Sequence, residues 1–183
     1  MGAIVVTGVP GVGKTTVMNA AADAARLPIV VYGTEMFKVA QAKKLAQHRD
    51  EMRKLPPEQQ REVQAAAAEA IAKLGDVIVD THCTVKTPRG FLPGLPAWVL
   101  EKLKPSSIVL VEASPQEIRG RRDKDTSRDR DPDSTDEIAK HQELNRAAAM
   151  AYATLTGATV KIVYNHDGKV DDAIQQILPV VGR

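Results

Sequence analysis

The chain has 183 residues, 43% hydrophobic and 26% charged, with a formal net charge of +2 at pH 7, which is the composition of one globular domain with a full core. So small a net charge gives no ground for a nucleic-acid or anionic-membrane partner, and aromatics at 3% leave little with which to stack unpaired bases. Cys83 is the only cysteine, so no internal disulfide forms, and a lone thiol fits a reducing cytoplasm.

Ala3 to Thr7 is an apolar run of strand type, followed without a gap by Gly8-Val9-Pro10-Gly11-Val12-Gly13-Lys14-Thr15-Thr16. This stretch fits Gly-x-x-x-x-Gly-Lys-Ser/Thr, and the alanine-rich segment after it predicts a helix from about Lys14 to Arg26. A strand that turns through glycines into a helix aims backbone N–H groups and the positive end of the helix dipole at one point, where a polyphosphate can sit. Lys14 would reach the β- and γ-phosphates, and Thr15 would face a magnesium ion.

Ile29 to Tyr32 predicts a second strand, with Thr34 as N-cap of a helix from about Glu35. The pattern stays helical from Phe37 to Lys54, until Pro56 and Pro57 break it. A further helix spans Glu58 to Leu74, capped by Gly75. Val77 to Asp80 is a continuous apolar run of the buried parallel type ending in an acid. Thr81 to Pro96 carries three prolines and two glycines and predicts a long irregular loop at the carboxyl side of that strand. Then come a helix over Ala97 to Lys104, a strand over Ser107 to Glu112, and a helix start at Ser114-Pro115. A long helix from about Thr135 to Leu155, a strand over Val160 to Tyr164 and a helix from about Val170 to Val180 complete an alternating α/β order. No stretch approaches the ~20 apolar residues of a membrane span, and the N-terminal apolar run is too short for a signal peptide.

Several residues outside the glycine loop could carry chemistry. Asp80 is the residue type that holds magnesium opposite Thr15, directly or through water; its alternative role is a strand-end cap. Between Arg119 and Asp136, arginines including Arg121, Arg122, Arg128 and Arg130 alternate with aspartates. Phosphoryl transfer spreads charge over equatorial oxygens, which bidentate arginine neutralises well; the alternative is a solvated stretch of local ion pairs. Arg49 and Arg53 are four apart and share one helical face, so they could clamp one phosphate, or pair with Asp50 and Glu51. Lys86 lies in the loop after Asp80, where a second substrate's phosphate could meet it, and His82 orients that loop or contacts substrate. His82, Cys83 and His141 do not have zinc-ligand spacing. Trp98 and Phe91 are anchors of core or loop.

The glycine loop, Asp80-Thr81-His82, the block from Lys86 to Pro96, His48 to Leu55 and His141 to Ala149 together resemble adenylate kinases of the archaeal type. The resemblance spans nearly the whole chain. It implies a P-loop NTPase fold with a five-stranded parallel sheet in the order 2-3-1-4-5, one domain over 1–183, a nucleoside-monophosphate-binding insert at about 33–74 and a short lid at about 121–135. It also implies Mg²⁺-dependent, reversible conversion of ATP and AMP to two ADP, in a cytoplasmic homotrimer. By position, Gly8 to Thr16 would bind ATP phosphates, Arg121, Arg122, Arg128 and Arg130 would form the lid side, and Thr34, Arg49, Arg53 and Lys86 would meet AMP. Lys38 stands where bacterial relatives carry an arginine on the AMP phosphate and is not assigned to the site. A kinase for CMP, UMP or a sugar acid would share the same donor half. A nucleotide switch is disfavoured by the absence of an Asn-Lys-x-Asp sequence.

Overall fold

The computed structural model describes residues 2–125 and 133–182. Strand β1 (Ala3–Gly8) is buried along its whole length and leads through the glycine loop into α1 (Lys14–Ala25). After β2 (Ile29–Val31) come α2 (Tyr32–Ala42), a 3-10 helix (Arg49–Lys54) and α3 (Pro57–Ala72). The chain returns through β3 (Val77–Asp80), the short strands β4 (Thr84–Thr87) and β5 (Gly90–Pro93), and α4 (Ala97–Leu103). It ends with β6 (Ser107–Glu112), α5 (Pro115–Lys124), α6 (Thr135–Thr156), β7 (Thr159–Tyr164) and α7 (Val170–Val181).

Five strands form one parallel sheet in the order β2-β3-β1-β6-β7. The labels depart from 2-3-1-4-5 because β4 and β5 pair antiparallel in a sheet of their own. From the central β1 the chain visits β2 and β3 on one side and β6 and β7 on the other, so the crevice for a ligand opens at the carboxyl end of β1. Alternation along β1 feeds both faces: Ile4 and Val6 pack with Val17, Val109 and Ile177, while Val5 packs with Ile71, Val79, Leu110 and Tyr152. Each such fully buried aliphatic side chain contributes about 1.5–3 kcal/mol relative to exposure. Two covered faces explain why the strands are uninterrupted apolar runs. A third, smaller cluster of Ala40, Ala46 and Val63, with Met52 against it, packs α2, the 3-10 helix and α3 together.

Three local expectations are corrected. Thr34 is not an N-cap: α2 starts at Tyr32 with Val31 as its extended cap residue, because Tyr32 is buried and its hydroxyl donates to Gln64 O at 2.8 Å. The helical pattern after Phe37 stops at Ala42, Lys44 adopts φ 57°, and Arg49 to Lys54 are 3-10 rather than α. With roughly 3.0 residues per turn, positions four apart diverge by about a third of a turn, so Arg49 and Arg53 do not share a face. Glu51, the dull partner considered for them, instead accepts from the backbone N–H groups of Gln47 (2.6 Å) and His48 (3.0 Å). Finally, the segment after Asp80 contains the β4–β5 hairpin. Its prolines sit in the turn, at the end of β5 and beyond it, and a two-stranded ribbon has only edges, which tolerate proline.

The root of this hairpin is tied to β1 and α6 by buried polar contacts. Cys83 N donates to Thr7 Oγ1 (2.7 Å), Thr84 Oγ1 to Asn145 Oδ1 (2.6 Å), and Tyr152 OH to Cys83 O (2.9 Å), while His141 Nε2 lies 3.1 Å from Thr84 Oγ1. Burial pushes the Cys83 thiol up to about 12. Cys83 and His141 are therefore structural.

Ser114 and Glu117 form the capping box that opens α5. Glu117 also accepts from Asp167 N at 2.8 Å and lies 2.9 Å from His166 Nδ1. The Asp167 N–H, then His166 and Ser114, hold its carboxyl far below the ordinary 4.5. A depressed carboxylate contributes stability that is complete above its unfolded value and is lost as pH falls below it. Thermal unfolding midpoints should therefore drop as pH falls from 4.5 downward, and Glu117→Gln should flatten that drop while lowering the midpoint at pH 7. An identical acid slope in the variant would contradict this role.

Candidate active site

A loop that turns its N–H groups inward must turn carbonyls outward, and here those carbonyls are held from behind. Pro10 O accepts from Arg122 Nε at 2.8 Å, and Val12 O accepts from Arg121 Nη1 and Asn165 Nδ2, both at 2.9 Å. Gly11 and Gly13 have φ of 86° and 81°, the left-handed region that favours glycine. A Cβ on Gly13 would lie 2.4 Å from Asn165 Nδ2, and one on Gly8 2.7 Å from Val111 O. The glycines thus serve the packing behind the loop as well as the open approach in front. Gly13 caps α1 with no side-chain bond, and no acidic residue occupies the first turn. A helix end of this kind leaves its first N–H groups and the positive end of its dipole available to an anion.

The side chain of Lys14 reaches across the crevice to Asp80, with its ammonium against Oδ1 and 3.4 Å from Thr81 O. Burial brings the Lys14 ammonium down to about 8. Gly8 to Thr15, Asp80, His82, Arg49 and Arg121 all line one cavity of about 890 Å³; Thr16 does not line it. A second cavity of about 460 Å³ shares Gly33, Met36, Arg49, Gln64 and His82 with the first and continues past Met52, Arg53, Leu55, Gln60 and Val63. The two form one passage from the phosphate loop to α3.

Arg49 lines both cavities and Arg53 only the distal one. Thr34 lines neither, but its Oγ1 accepts from Arg49 Nη2 at 3.3 Å. Gly33 leaves room for that guanidinium, since a Cβ there would lie 2.9 Å from Nη2. His82 faces the passage, and desolvation by its walls, then Lys14 and His141, lower its pKa. Gly94 lets the hairpin fold back onto His82, whose carbonyl oxygen would lie 1.9 Å from a Cβ there.

Three of the sequence candidates are placed differently from expectation. Lys86 lines neither cavity; its ammonium pairs with Asp133 at 2.5 Å and Glu137 at 3.4 Å, and Asp133 first of all raises its pKa. Arg121 and Arg122 belong to α5 and brace the phosphate loop rather than standing on a flap. Arg121 also pairs with Asp167 (2.6 Å) and Arg122 with Asp133 (2.7 Å). Arg128 and Arg130 lie outside the described residues. Lys38 pairs with Glu35 at 2.6 Å on the surface. The sequence reading missed Asn165, although the first polar residue after a parallel strand falls at the same sheet edge as the glycine loop. It also missed Gln60 and Gln64, which α3 presents to the distal cavity.

A family model described as an AAA domain matches residues 7–139. The adenylate kinase of Methanopyrus kandleri is 54% identical over 184 residues, covering 97% of this chain and 96% of that protein. The adenylate kinase of Methanocaldococcus jannaschii is 51% identical over 186 residues, covering 97% of each. Among solved structures, a shikimate kinase from Bacteroides thetaiotaomicron superposes with a TM-score of 0.57 at 13% identity, covering 98% of both chains. That likeness concerns the fold.

Proposed function

Because this chain belongs to the adenylate kinase family and is a nucleoside monophosphate kinase that interconverts ATP plus AMP with two ADP, we propose that its donor lies on Gly8 to Thr16 and its acceptor in the distal half of the passage. The observation that carries this placement is the continuity of the two cavities, with the loop at one end and Arg49 and Arg53 toward the other. The loop N–H groups and the α1 N-terminus hold the donor phosphates. Lys14 exchanges Asp80 for phosphate oxygens. Arg49 and Arg53 hold the acceptor phosphate, with Thr34 steadying Arg49 and His82 at the junction.

A phosphate oxygen of AMP attacks the γ-phosphorus of ATP in line, the bond from that phosphorus to the β–γ bridging oxygen breaks, and ADP leaves as the second ADP forms. The attacking oxygen is already anionic, so no side chain has to remove a proton. Arg121 and Arg122 act through the loop by fixing its carbonyls. Arg128 and Arg130 complete the lid side by family likeness. Thr15 and Asp80 line the same cavity and offer the hydroxyl and carboxylate oxygens that Mg²⁺ prefers; the ion would neutralise charge on the β- and γ-phosphates. Lys86, held by Asp133 and Glu137, is assigned to the lid boundary rather than to AMP. The homotrimer and the cytoplasmic setting rest on family likeness. Among the described residues no helix is long and apolar enough to cross a membrane.

An acceptor panel with saturating ATP tests the placement. AMP should be the best acceptor by roughly 10-fold or more in kcat/KM, since a site built to bond polar groups rejects ligands lacking them. Turnover of a sugar acid with none of AMP would overturn it.

A further inference from the structure

Two glutamines of α3, Gln60 and Gln64, stand one helical turn apart and both line the distal cavity. A glutamine amide has a donor end and an acceptor end, and the end that faces a ligand depends on what holds the other. Here chemistry fixes both. Gln64 Oε1 accepts from the indole N–H of Trp98 at 2.9 Å, and indole can only donate. Gln64 therefore turns its NH₂ away from Trp98. Gln60 Nε2 donates to the carbonyls of Leu55 (2.6 Å) and Arg53 (3.3 Å), which can only accept. Gln60 therefore keeps its carbonyl oxygen uncommitted. Among the described residues neither Gln64 Nε2 nor Gln60 Oε1 has a protein partner, and neither is a buried unsatisfied atom. The guanidinium of Arg61, 4.9 Å from the Trp98 ring centre, holds the indole in place.

We infer that Gln60 and Gln64 read the base of the acceptor nucleotide as an opposed pair, Gln60 accepting from an exocyclic amino group and Gln64 donating to the ring nitrogen beside it. The inference rests on placing AMP in the distal cavity. Adenine offers that pair, a 6-amino group next to a ring acceptor. Hypoxanthine and guanine put a carbonyl oxygen where Gln60 already presents one, and the two acceptors repel. Cytosine carries the same amino and ring-acceptor pair as adenine, uracil the reverse. Discrimination between adenine and cytosine therefore falls to size, through Met36, Leu55 and Val63 on the cavity walls. Trp98 is a positioning residue that acts through Gln64.

The test measures kcat/KM of the full chain for AMP, IMP, CMP, UMP and purine ribonucleoside monophosphate at saturating ATP. The wild type should favour AMP over IMP by about 100-fold or more, and CMP over UMP, because the wrong partner leaves the site's polar groups unpaired. Loss of the amino group alone, in purine ribonucleoside monophosphate, should cost about 10-fold, the value of one hydrogen bond. Gln64→Glu replaces the donor by an acceptor and should raise KM for AMP about 10-fold or more while leaving KM for ATP unchanged. Gln60→Leu removes the repulsion and should narrow the AMP-to-IMP ratio. Equal use of AMP and IMP by the wild type would overturn the pair even if no variant folds. Failure of AMP itself to accept would instead overturn the acceptor placement.

Discussion

Lys14→Met should lower kcat/KM for ADP formation by about 1,000-fold, on the scale of losing one strong charge from the transition state in a water-poor site, in a protein that still folds. The methionine keeps the aliphatic stem in place. What it leaves behind is Asp80, whose side chain is only 20% exposed, with its counter-charge gone. Breaking such a pair costs stability because one charge stays behind unpaired. The double variant Lys14→Met, Asp80→Asn should therefore recover the unfolding midpoint without recovering activity, separating the catalytic role of Lys14 from the structural one. Preserved turnover in a folded Lys14→Met would contradict the assignment. The pH response follows the same logic. Burial holds the ammonium near 8 against an ordinary 10.5, so the free protein loses this charge above pH 8. Bound phosphates restore it. ATP binding at pH 9 should then take up a proton that binding at pH 7 does not, as buffer-dependent calorimetry would read.

Arg49→Ala should raise KM for AMP by about 100-fold, consistent with losing charge-assisted bonds to a phosphate, with KM for ATP changed less than about threefold. Arg49 touches both halves of the passage, whereas Arg53 lines only the distal one and is turned to another face of the 3-10 helix. Arg53→Ala should therefore have the smaller effect, about 10-fold. Lysine is no substitute at position 49, because Thr34 Oγ1 and Gly33 are arranged around a flat, forked guanidinium. Equal increases in KM for both substrates would show that Arg49 supports the insert as a whole rather than the acceptor phosphate. Steady-state kinetics with each substrate varied in turn distinguishes these cases.

The strand, glycine loop and helix at the start of the chain were legible because their signal is local. A buried strand, glycines at fixed offsets, Lys14 and a helix follow one another within a single stretch, and Asp80 closes an apolar run whose parallel partner is β1. What could not be read came from contacts far apart in sequence. Asn165 braces Val12 across 153 positions, and nothing near Asn165 announces that partner. Arg121 and Arg122 looked like flap residues because composition marks a charged stretch without saying where α5 ends. The capping box at Ser114 fixed the start of that helix; its end at Lys124 puts both arginines on α5, bonded to loop carbonyls, with Arg121 also lining the cavity. Arg49 and Arg53 were misjudged in geometry, since nothing in the sequence of that segment marks the change from the i→i+4 bonding of an α-helix to the tighter i→i+3 bonding of a 3-10 turn. Lys86 was misplaced because the hairpin carries it away from the passage to Asp133. The orientation of Gln64 depends on Trp98, 34 positions away, and on which end of an amide an indole can bind. No pattern along the chain encodes that.

Phosphoryl transfer between two nucleotides held end to end is tested most directly by following label from the γ-position of ATP in the presence of AMP. The passage from the glycine loop to Arg49 and Arg53 requires that the label appear in the β-position of the ADP made from AMP, with two ADP formed for each AMP consumed and negligible inorganic phosphate. Label released mainly as inorganic phosphate, or ADP formation indifferent to AMP, would contradict a two-nucleotide site.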